Sequence, residues 1–323
     1  MMLEGFPSWV VDALMELQYR FPLVEDPYAV VAERVGVDEG ELLEALKRLK
    51  GEGILKRVGF YFNPRSVGRV AALIAFETNN IERVAEHVSR VLEVTHSYER
   101  SHPRYRLWVV ARGSSVEEIV SRVREVCEKL GCSWLVLPGK KVYRLSVKYD
   151  LRSGISRAGP YSSVAENPPS PEDLGYSTKL AKALRSLPLE PNPFDVLGKQ
   201  FSMSGSEVVE AAKKMLEAGI LGDPGAALDG HKLGFTVNAM FVLEPADECS
   251  KACRWVVDSL PEATHVVERS VVGGEWPYTC YFMVHAVSET KLEPIRKRVE
   301  EKAPIRRFDV LVSLRDLKPG IVR

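Results

Sequence analysis

The sequence predicts an α+β fold, organised as a tandem repeat of a winged helix-turn-helix followed by a βαββαβ module. The main observation is that the chain contains one pattern twice. The motif of residues 21–28 recurs at 187–194, and residues 53–55 recur at 219–221. The spacing between these motifs barely changes, so the two halves match along their length. Two such copies indicate similar domains related by a pseudo-twofold axis.

Each half opens with a pattern typical of helix, short turn, helix and wing. In the first half, apolar spacing predicts a helix over 28–35, and after a short turn Asp38 can cap a helix over 39–51. Residues 53–59 then begin a wing. The second half repeats this order, with its last helix predicted over 207–218.

A βαββαβ module follows in each half, because strand and helix periodicities alternate there. The elements predicted in the first half are strand 69–77, helix 81–92, strands 94–100 and 105–112, helix 115–130 and strand 141–148. Those predicted in the second half are strand 235–243, helix 247–260, strands 263–271 and 278–286, helix 289–302 and strand 305–314. This order is that of the ferredoxin-like split βαβ unit.

The segment between the halves is rich in Pro, Ser and Gly and has no apolar period, which is typical of a linker. The sequence is therefore divided into a first helix-turn-helix domain (8–62), a first βαββαβ domain (63–150), a linker (151–175), a second helix-turn-helix domain (176–230) and a second βαββαβ domain (231–323).

The bulk properties are those of an ordinary globular protein. The 323 residues are 45% hydrophobic and 27% charged, with a net charge of zero. No apolar run approaches the roughly twenty residues that a membrane span needs, and the N-terminus lacks a secretion signal. We therefore expect a cytoplasmic protein that does not bind membranes. Zero net charge also argues against a main role in coating nucleic acid, but not against a local basic pocket.

The candidate site lies on the central strands of the two modules. Alternate residues of a strand share a face, so His96, Tyr98 and Arg100 are expected to line up in the first copy. His265 and Arg269 take the equivalent positions in the second copy. Imidazoles beside guanidinium groups are unfavourable in an apolar core and well suited to bind anions. A solvated sheet face is the alternative interpretation.

Further candidates lie in the hairpins and at strand ends. Trp276 lies between glycines and Tyr278, where an aromatic ring could wall a flat ligand, although a core position is the simpler interpretation. His285 of the second copy lies at the position where the first copy has Arg112. Imidazoles near arginines suit a substrate with several carboxylates that needs a proton donor near neutral pH. The other candidates of this kind are His102, Tyr105 and His231.

Two motifs receive a structural interpretation. The third helix of the first copy carries Asp38, Glu39, Glu41 and Glu44 at its N-terminal end, where DNA contacts are normally made, and these acids repel phosphate. DNA binding is therefore not expected. Among the five cysteines, Cys249-x3-Cys253 has the spacing of a metal pair but lacks a second close pair. Reduced, partly buried thiols and no metal site are predicted.

The arrangement of helix-turn-helix and βαββαβ module resembles the Lrp/AsnC regulators, and specific motifs are similar to those of the siroheme decarboxylases, including related enzymes of the heme d1 pathway. The resemblance covers nearly the whole chain outside the linker. The motifs that carry it are Phe21-Pro22-Leu23 with Pro27-Tyr28, residues 53–59, His96-Ser97-Tyr98-Glu99-Arg100 with Tyr105-Arg106-Leu107-Trp108, and Trp276-Pro277-Tyr278 with Met283-Val284-His285.

The resemblance implies the non-oxidative removal of two acetate carboxyl groups from siroheme, which gives 12,18-didecarboxysiroheme on the alternative route to heme. It implies no organic cofactor, because the iron belongs to the siroheme or related iron tetrapyrrole. Two homologous subunits commonly act together in that family, so the chain is interpreted as a fusion, an internal pseudo-heterodimer. Whether it associates further is left open, and one competent site, weighted toward the second copy, is expected.

The resemblance also implies roles for the candidate residues. Arg100, Arg269 and Arg112 would hold the carboxylates of the substrate. His285 or His231, and less readily His265, would supply the proton that replaces carbon dioxide. The rival interpretations are a DNA-binding regulator of the Lrp/AsnC type that senses a small ligand or tetrapyrrole, and a tetrapyrrole sensor without turnover.

Overall fold

The computed structural model describes Leu3 and residues 5–318 of the chain. Both copies contain the predicted order of elements. The first copy consists of α1 (Trp9–Tyr19), α2 (Pro27–Val35), α3 (Glu39–Gly51), β1 (Leu55–Phe62), β2 (Val70–Glu77), α4 (Ile81–Val91), β3 (Glu93–Arg100), β4 (Leu107–Gly113), α5 (Val116–Leu130) and β5 (Ser133–Leu145).

The second copy begins with a short β-hairpin and has shorter first helices. Its elements are β6 (Tyr149–Asp150), β7 (Ile155–Ser156), α6 (Thr178–Ala183), α7 (Pro193–Gly198), α8 (Gly205–Glu217), β8 (Leu221–Leu228), β9 (Val237–Pro245), α9 (Cys249–Ser259), β10 (His265–Arg269), β11 (Cys280–Ala286), α10 (Glu293–Lys302) and β12 (Ile305–Asp316). Short 3₁₀ helices cover Pro64–Val67, Glu172–Leu174, Lys199–Phe201 and Glu289–Leu292.

The chain forms two compact units, and each unit draws on both copies. The helical unit comprises Met1–Ser66, Leu145–Thr236 and His285–Ser288. The sheet unit comprises Val67–Arg144, Val237–Val284 and Glu289–Arg323. Like modules are therefore grouped together. The predicted linker is an ordered part of the helical unit, where the main chain of Leu145 donates to Ser162 O at 2.7 Å.

Local sequence signals account for the helices of the helical unit. Asp26 and Asp38 cap α2 and α3 by accepting hydrogen bonds from the main-chain N–H groups of Ala29 (3.2 Å) and Gly40 (2.7 Å). Gly36 ends α2 in the left-handed conformation, with φ of 74°. In the second copy, Ser204 and Glu207 form a reciprocal capping box at the start of α8. The predicted cap at Asp38 is confirmed.

The two wing strands of the helical unit pair with each other. β1 and β8 run antiparallel, and Gly59 lies opposite Gly225. The core beneath them combines buried side chains from both copies, including Leu14 and Leu46 from the first copy and Met215 from the second. The helix-turn-helix segments thus share one apolar core, which stabilises them jointly.

Eight strands of the sheet unit close into a ring. Their order is β10-β5-β2-β4-β3-β12-β9-β11, and β11 pairs with β10 to complete it. The two copies exchange edge strands within this ring. β12 of the second copy pairs with β3 of the first, and Val136 of β5 forms a bridge with Val272 next to β10. This reciprocal exchange is what a pseudo-twofold axis between the modules requires.

The two faces of the ring have different partners. On β2, Ala72, Ile74 and Phe76 belong to an apolar cluster with residues of α4 and α5, so they face outward beneath these helices. Leu73 and Ala75 alternate with them and belong to a second cluster, with members from both copies. We call this second side of the ring its inner face.

One prediction about an element needs correction. The last strand of the first module was predicted at 141–148, but β5 covers Ser133–Leu145. Pro138 lies within the strand, opposite Ala72 in the ladder, and its carbonyl accepts from Ser270 N at 3.2 Å. A proline is compatible with a strand where no N–H is needed. Among the described residues, no helix combines the length and apolarity that crossing a bilayer requires.

Candidate functional site

The predicted row of residues on β3 faces the interior of the ring. His96 lies opposite Val110 and Tyr98 lies opposite Trp108, and both partners pack in or against the inner-face cluster. The rings of His96 and Tyr98 are 6.3 Å apart, and the guanidinium of Arg100 lies 5.2 Å from the Tyr98 ring. The predicted alignment of these three side chains on one face is confirmed.

Arg100 is buried and reaches across to the second copy. One terminal nitrogen donates hydrogen bonds to Leu311 O at 3.0 Å and to Asn238 O at 3.4 Å. Among the described residues, its buried Nε has no hydrogen-bond partner. Burial lowers the pKa of Arg100 to about 10, so the group stays cationic at neutral pH. The inner face therefore contains a fixed positive charge with donor capacity to spare.

Arg269 repeats this arrangement in the opposite direction. Its guanidinium donates to Leu137 O of the first copy at 2.9 Å and lies 5.4 Å from the ring of Tyr281. Its Nε is likewise buried without a partner among the described residues. Burial lowers the pKa of Arg269 to about 10. The two arginines thus link the copies reciprocally and add two positive charges to the ring.

Two histidines occupy equivalent places beside these arginines. The Nδ1 atoms of His96 and His265 lie 2.9 and 3.2 Å from the hydroxyls of Thr95 and Thr264. His265 lies opposite Met283 on the inner face. Burial first, and the positive charge of Arg269 second, lower the pKa of His265 to about 4. His265 is therefore neutral at physiological pH.

The four aromatic and histidine candidates of the hairpins come together in one cluster. The ring of Trp276 lies 5.4 Å from His102, 5.6 Å from Tyr105 and 5.0 Å from Tyr278. Its indole N–H donates to the hydroxyl of Tyr281 at 2.7 Å. Trp276 is thus in contact with three neighbouring rings while remaining partly exposed. His102 accepts a hydrogen bond at Nδ1 from Tyr105 N at 2.8 Å, and burial lowers the pKa of His102.

The remaining candidates lie outside this cluster. Arg112 forms an ion pair with Glu93 at 3.5 Å. His231 is exposed in the turn after β8 and belongs to the helical unit. His285, also in the helical unit, donates its main-chain N–H to Ser156 Oγ at 2.9 Å, and its ring lies 5.8 Å from Tyr149. The structure thus brings ten of the twelve candidates into the sheet unit, and places His231 and His285 in the helical unit.

Family models match both kinds of module. The AsnC-like ligand binding domain matches residues 66–144 and 232–318, together more than half of the chain. The siroheme decarboxylase NirDL-like HTH domain matches residues 12–55.

Known proteins match over nearly the full length. A siroheme decarboxylase of Hydrogenobacter thermophilus is 27% identical over 307 residues, which cover 94% of this chain and 90% of the relative. The crystal structure of the siroheme decarboxylase NirDL has a TM-score of 0.65 at 25% identity and covers 96% of this chain and 92% of its own. Its complex with an iron-uroporphyrin III analogue has a TM-score of 0.63, with the same identity and coverage.

The chain belongs to the siroheme decarboxylase family. Its fold is the one that the resemblance implied, an α+β tandem repeat of helix-turn-helix and AsnC-like modules. Within this family member, the ring of the sheet unit combines the ligand-binding modules of both copies.

Sequence reasoning missed several features of this siroheme decarboxylase family member. Tyr281 connects Arg269 to Trp276 but was not selected, although strand alternation places it on the same face as Met283. Cys127, in the last turns of α5, forms a disulfide with Cys132 just after the helix, whereas no pairing was predicted. Cys249 and Cys253 are free, as expected, but a third thiol, that of Cys280, lies beside them.

Two cavities, one in each unit, lie away from the predicted residues. One, of about 340 Å³ in the sheet unit, is lined by Glu82, Ala85, Glu86, Ser89, Leu317 and Lys318. The other, of about 230 Å³ in the helical unit, is lined by Gln18, Tyr19, Arg20, Phe21, Pro22, Arg34, Pro160, Tyr161 and Pro224. Neither is lined by a candidate of the site.

Proposed function

We propose that this chain is a carboxy-lyase that removes two acetate carboxyl groups from siroheme, giving 12,18-didecarboxysiroheme on the alternative route to heme. The observation that carries the proposal is the full-length similarity to NirDL, whose structure is known with an iron-uroporphyrin III analogue. The iron is part of the substrate, and we expect no organic cofactor. Siroheme carries several carboxylates on a flat ring, which suits a cationic and aromatic site.

Arg100 and Arg269 are proposed to bind carboxylates of the macrocycle. Each guanidinium has five N–H donors and spends only some of them on main-chain carbonyls. Charge-assisted hydrogen bonds from a buried guanidinium are roughly twice as strong as neutral ones. The exposed ion pair of Arg112 with Glu93 makes that arginine a weaker candidate.

His285 remains the first choice for the proton donor. Loss of carbon dioxide from an acetate leaves electrons on the ring system, and a proton must then reach the side-chain carbon. His265, with a pKa of about 4, is protonated in about one molecule in a thousand at pH 7, so it is better suited to accept a hydrogen bond. His231 is exposed, which leaves His285, a partly buried residue, as the preferred donor.

Binding of a tetrapyrrole is proposed to rearrange the aromatic cluster around Trp276. The ring of Trp276 lies only 5.0–5.6 Å from those of Tyr278, His102 and Tyr105, so a flat ligand that enters between these rings requires them to move. We expect tryptophan fluorescence to be quenched on titration with siroheme, and to be quenched less in a Trp276→Phe variant. Equal quenching in both proteins would argue against a ligand beside Trp276.

The decisive experiment is anaerobic incubation of the purified chain with siroheme, followed by mass spectrometry. The expected result is loss of two carboxyl groups as carbon dioxide, with the iron retained and no oxidant supplied. Binding without a change of mass would indicate the sensor, and an unchanged, unbound macrocycle would refute the proposal.

The regulator interpretation is disfavoured by two features of the helical unit. The acidic side chains of Glu41 and Glu44 are exposed at the start of α3, where they repel phosphate. The wing strand β1 is paired with β8, and Lys56 of this wing forms an ion pair with Asp229 at 3.3 Å. A gel-shift assay at physiological salt is expected to show no tight, sequence-dependent binding to upstream DNA.

A further inference from the structure

Three free thiols of the second copy lie together on the outer side of the ring. The sulfur atoms of Cys249, Cys253 and Cys280 all lie within 4.8 Å of one another, and those of Cys249 and Cys253 are 3.9 Å apart. Cys249 and Cys253 are one turn apart at the start of α9, and Cys280 is the first residue of β11. Cys253 and Cys280 are buried, whereas Cys249 is partly exposed. The group therefore combines enclosure with a route from solvent.

The fold itself does not require sulfur at these places. The same positions in the first copy, namely the first and fifth residues of α4 and the first residue of β4, are Ile81, Ala85 and Leu107. All three are buried in the apolar cluster between helix and sheet. A single buried cysteine usually acts as a small apolar side chain. Three cysteines that replace three apolar residues at one contact point need a further explanation.

The spacing of the sulfur atoms fits a thiolate-bound metal ion. With Zn–S bonds of about 2.3 Å, tetrahedral geometry places the sulfur atoms about 3.8 Å apart. The 3.9 Å between Cys249 and Cys253 agrees with this value. Cys249 also begins α9, where the positive end of the helix dipole stabilises a thiolate.

We propose that Cys249, Cys253 and Cys280 bind one Zn²⁺ ion, with a solvent molecule as the fourth ligand on the exposed side of Cys249. Binding releases three thiol protons and leaves the sulfur atoms reduced, so no oxidant or reductant is involved. The ion would fasten α9 to β11. Because Tyr281 follows Cys280 and accepts the hydrogen bond of Trp276, the ion would also hold the wall of the inner face in position. This inference does not depend on the proposed reaction.

The test uses the full chain, purified under reducing conditions and freed of metal with a chelator. After incubation with zinc and removal of the excess, elemental analysis is expected to find one zinc ion per chain. Titration with cobalt is expected to give thiolate-to-metal charge-transfer absorption and the intense visible bands of a tetrahedral site. Zinc is also expected to raise the melting temperature.

The matched variants use the residues of the first copy. Cys253→Ala, and the triple variant Cys249→Ile, Cys253→Ala and Cys280→Leu, are expected to retain less than about a tenth of the zinc while keeping the native circular dichroism spectrum. A Cys127→Ser, Cys132→Ser variant, which removes the disulfide-bonded pair, is expected to retain one ion per chain.

Three results would overturn the proposal. The native chain could retain no zinc, the triple variant could retain as much as the native chain, or Cu⁺ could bind while zinc and cobalt do not. If one variant fails to fold, cobalt spectra of the milder Cys249→Ser variant decide, because loss of one thiolate must weaken the charge-transfer band.

Discussion

At the scale of single residues, Arg100 and Arg269 show what the folded environment adds to a strand pattern. Alternation along β3 was sufficient to predict that Arg100 shares a face with His96 and Tyr98. It could not predict that Arg100 donates to a carbonyl of the other copy at Leu311, because the local sequence does not record which strands meet across the ring. The arginines therefore serve the contact between copies as well as the proposed binding of carboxylates.

His265 leads to a prediction about pH and stability. Its pKa is about 4 in the folded chain and about 6.5 when unfolded, so the unfolded state binds more protons between these values. Stability contributed by the neutral imidazole is thus present above about pH 6.5 and is lost as the pH falls toward about 4. In urea denaturation, we expect the free energy of unfolding of the native chain to fall between about pH 7.5 and about pH 5. In His265→Gln this fall is expected to be smaller by on the order of 2 kcal/mol.

A matched control removes an imidazole that is exposed. His231→Gln is expected to keep the pH dependence of the native chain, since His231 is solvated in both states. Carboxylates contribute equally to all three proteins and cancel in the comparison. If the native chain and His265→Gln show the same difference between the two pH values, the buried neutral imidazole is not the cause.

Substitution of single histidines tests which one donates the proton. We expect His285→Ala to lower siroheme turnover by at least about tenfold, because general acids typically contribute about 10²–10⁴ in rate. His231→Ala is expected to change turnover by less than about twofold, because its side chain is exposed in a turn. Circular dichroism checks that both variants fold. If neither substitution reaches tenfold, the assignment of the acid to these histidines is wrong.

At the scale of elements, the pairing of the wing strands depends on two glycines. Gly59 and Gly225 face each other in the β1–β8 ladder, with φ of 159° and 127°. A Cβ atom on Gly59 would lie 2.5 Å from Arg185 O, and one on Gly225 would collide with Leu17 O. The strands therefore approach neighbouring main chain more closely than any side chain permits.

Gly225→Ala is accordingly expected to lower the free energy of unfolding by about 1–3 kcal/mol, through collision and backbone strain. Gly222→Ala on the same strand is the control, because its Cβ would meet only Tyr61 at 3.6 Å. That variant is expected to stay within about 0.5 kcal/mol of the native chain. Thermal and urea unfolding measure both. Similar losses in the two variants would show that the close approach at Gly225 is unimportant.

Local sequence signals predicted some boundaries of the helices and strands correctly, but not the contacts between elements that are distant in sequence. Asp38 marked the start of α3 correctly, because a cap is a local signal. The start of β5 was misplaced, and the ladder partner that places Pro138 in the strand, Ala72 of β2, is remote in sequence. The grouping of Cys280 with Cys253 could not be predicted either, since 27 positions separate them in the chain and only the packing of α9 against the sheet brings their sulfur atoms together.

At the scale of the whole molecule, neither copy completes its own sheet. β12 of the second copy supplies a neighbour for β3 of the first, and β5 of the first lies next to β10 of the second. The inner-face cluster also takes its members from both copies, including Trp108 from the first and Tyr281 from the second. A single copy would therefore expose open strand edges and apolar surface, which favour aggregation.

This reciprocity predicts how the chain behaves when it is divided. A cut between Asn167 and Pro168, in the segment predicted as a linker, separates the two copies. We expect residues 1–167 and 168–323 to be insoluble or self-associated when produced separately. Produced together, they should copurify in equal amounts as one particle, because each supplies the strands that the other lacks. Size-exclusion chromatography with light scattering measures this.

A cut between residues 236 and 237, within the second copy, is the control. Its two fragments should not copurify as one particle, since this cut separates β9 from the helices before it. A stable, monomeric first half that unfolds cooperatively would contradict the closed ring.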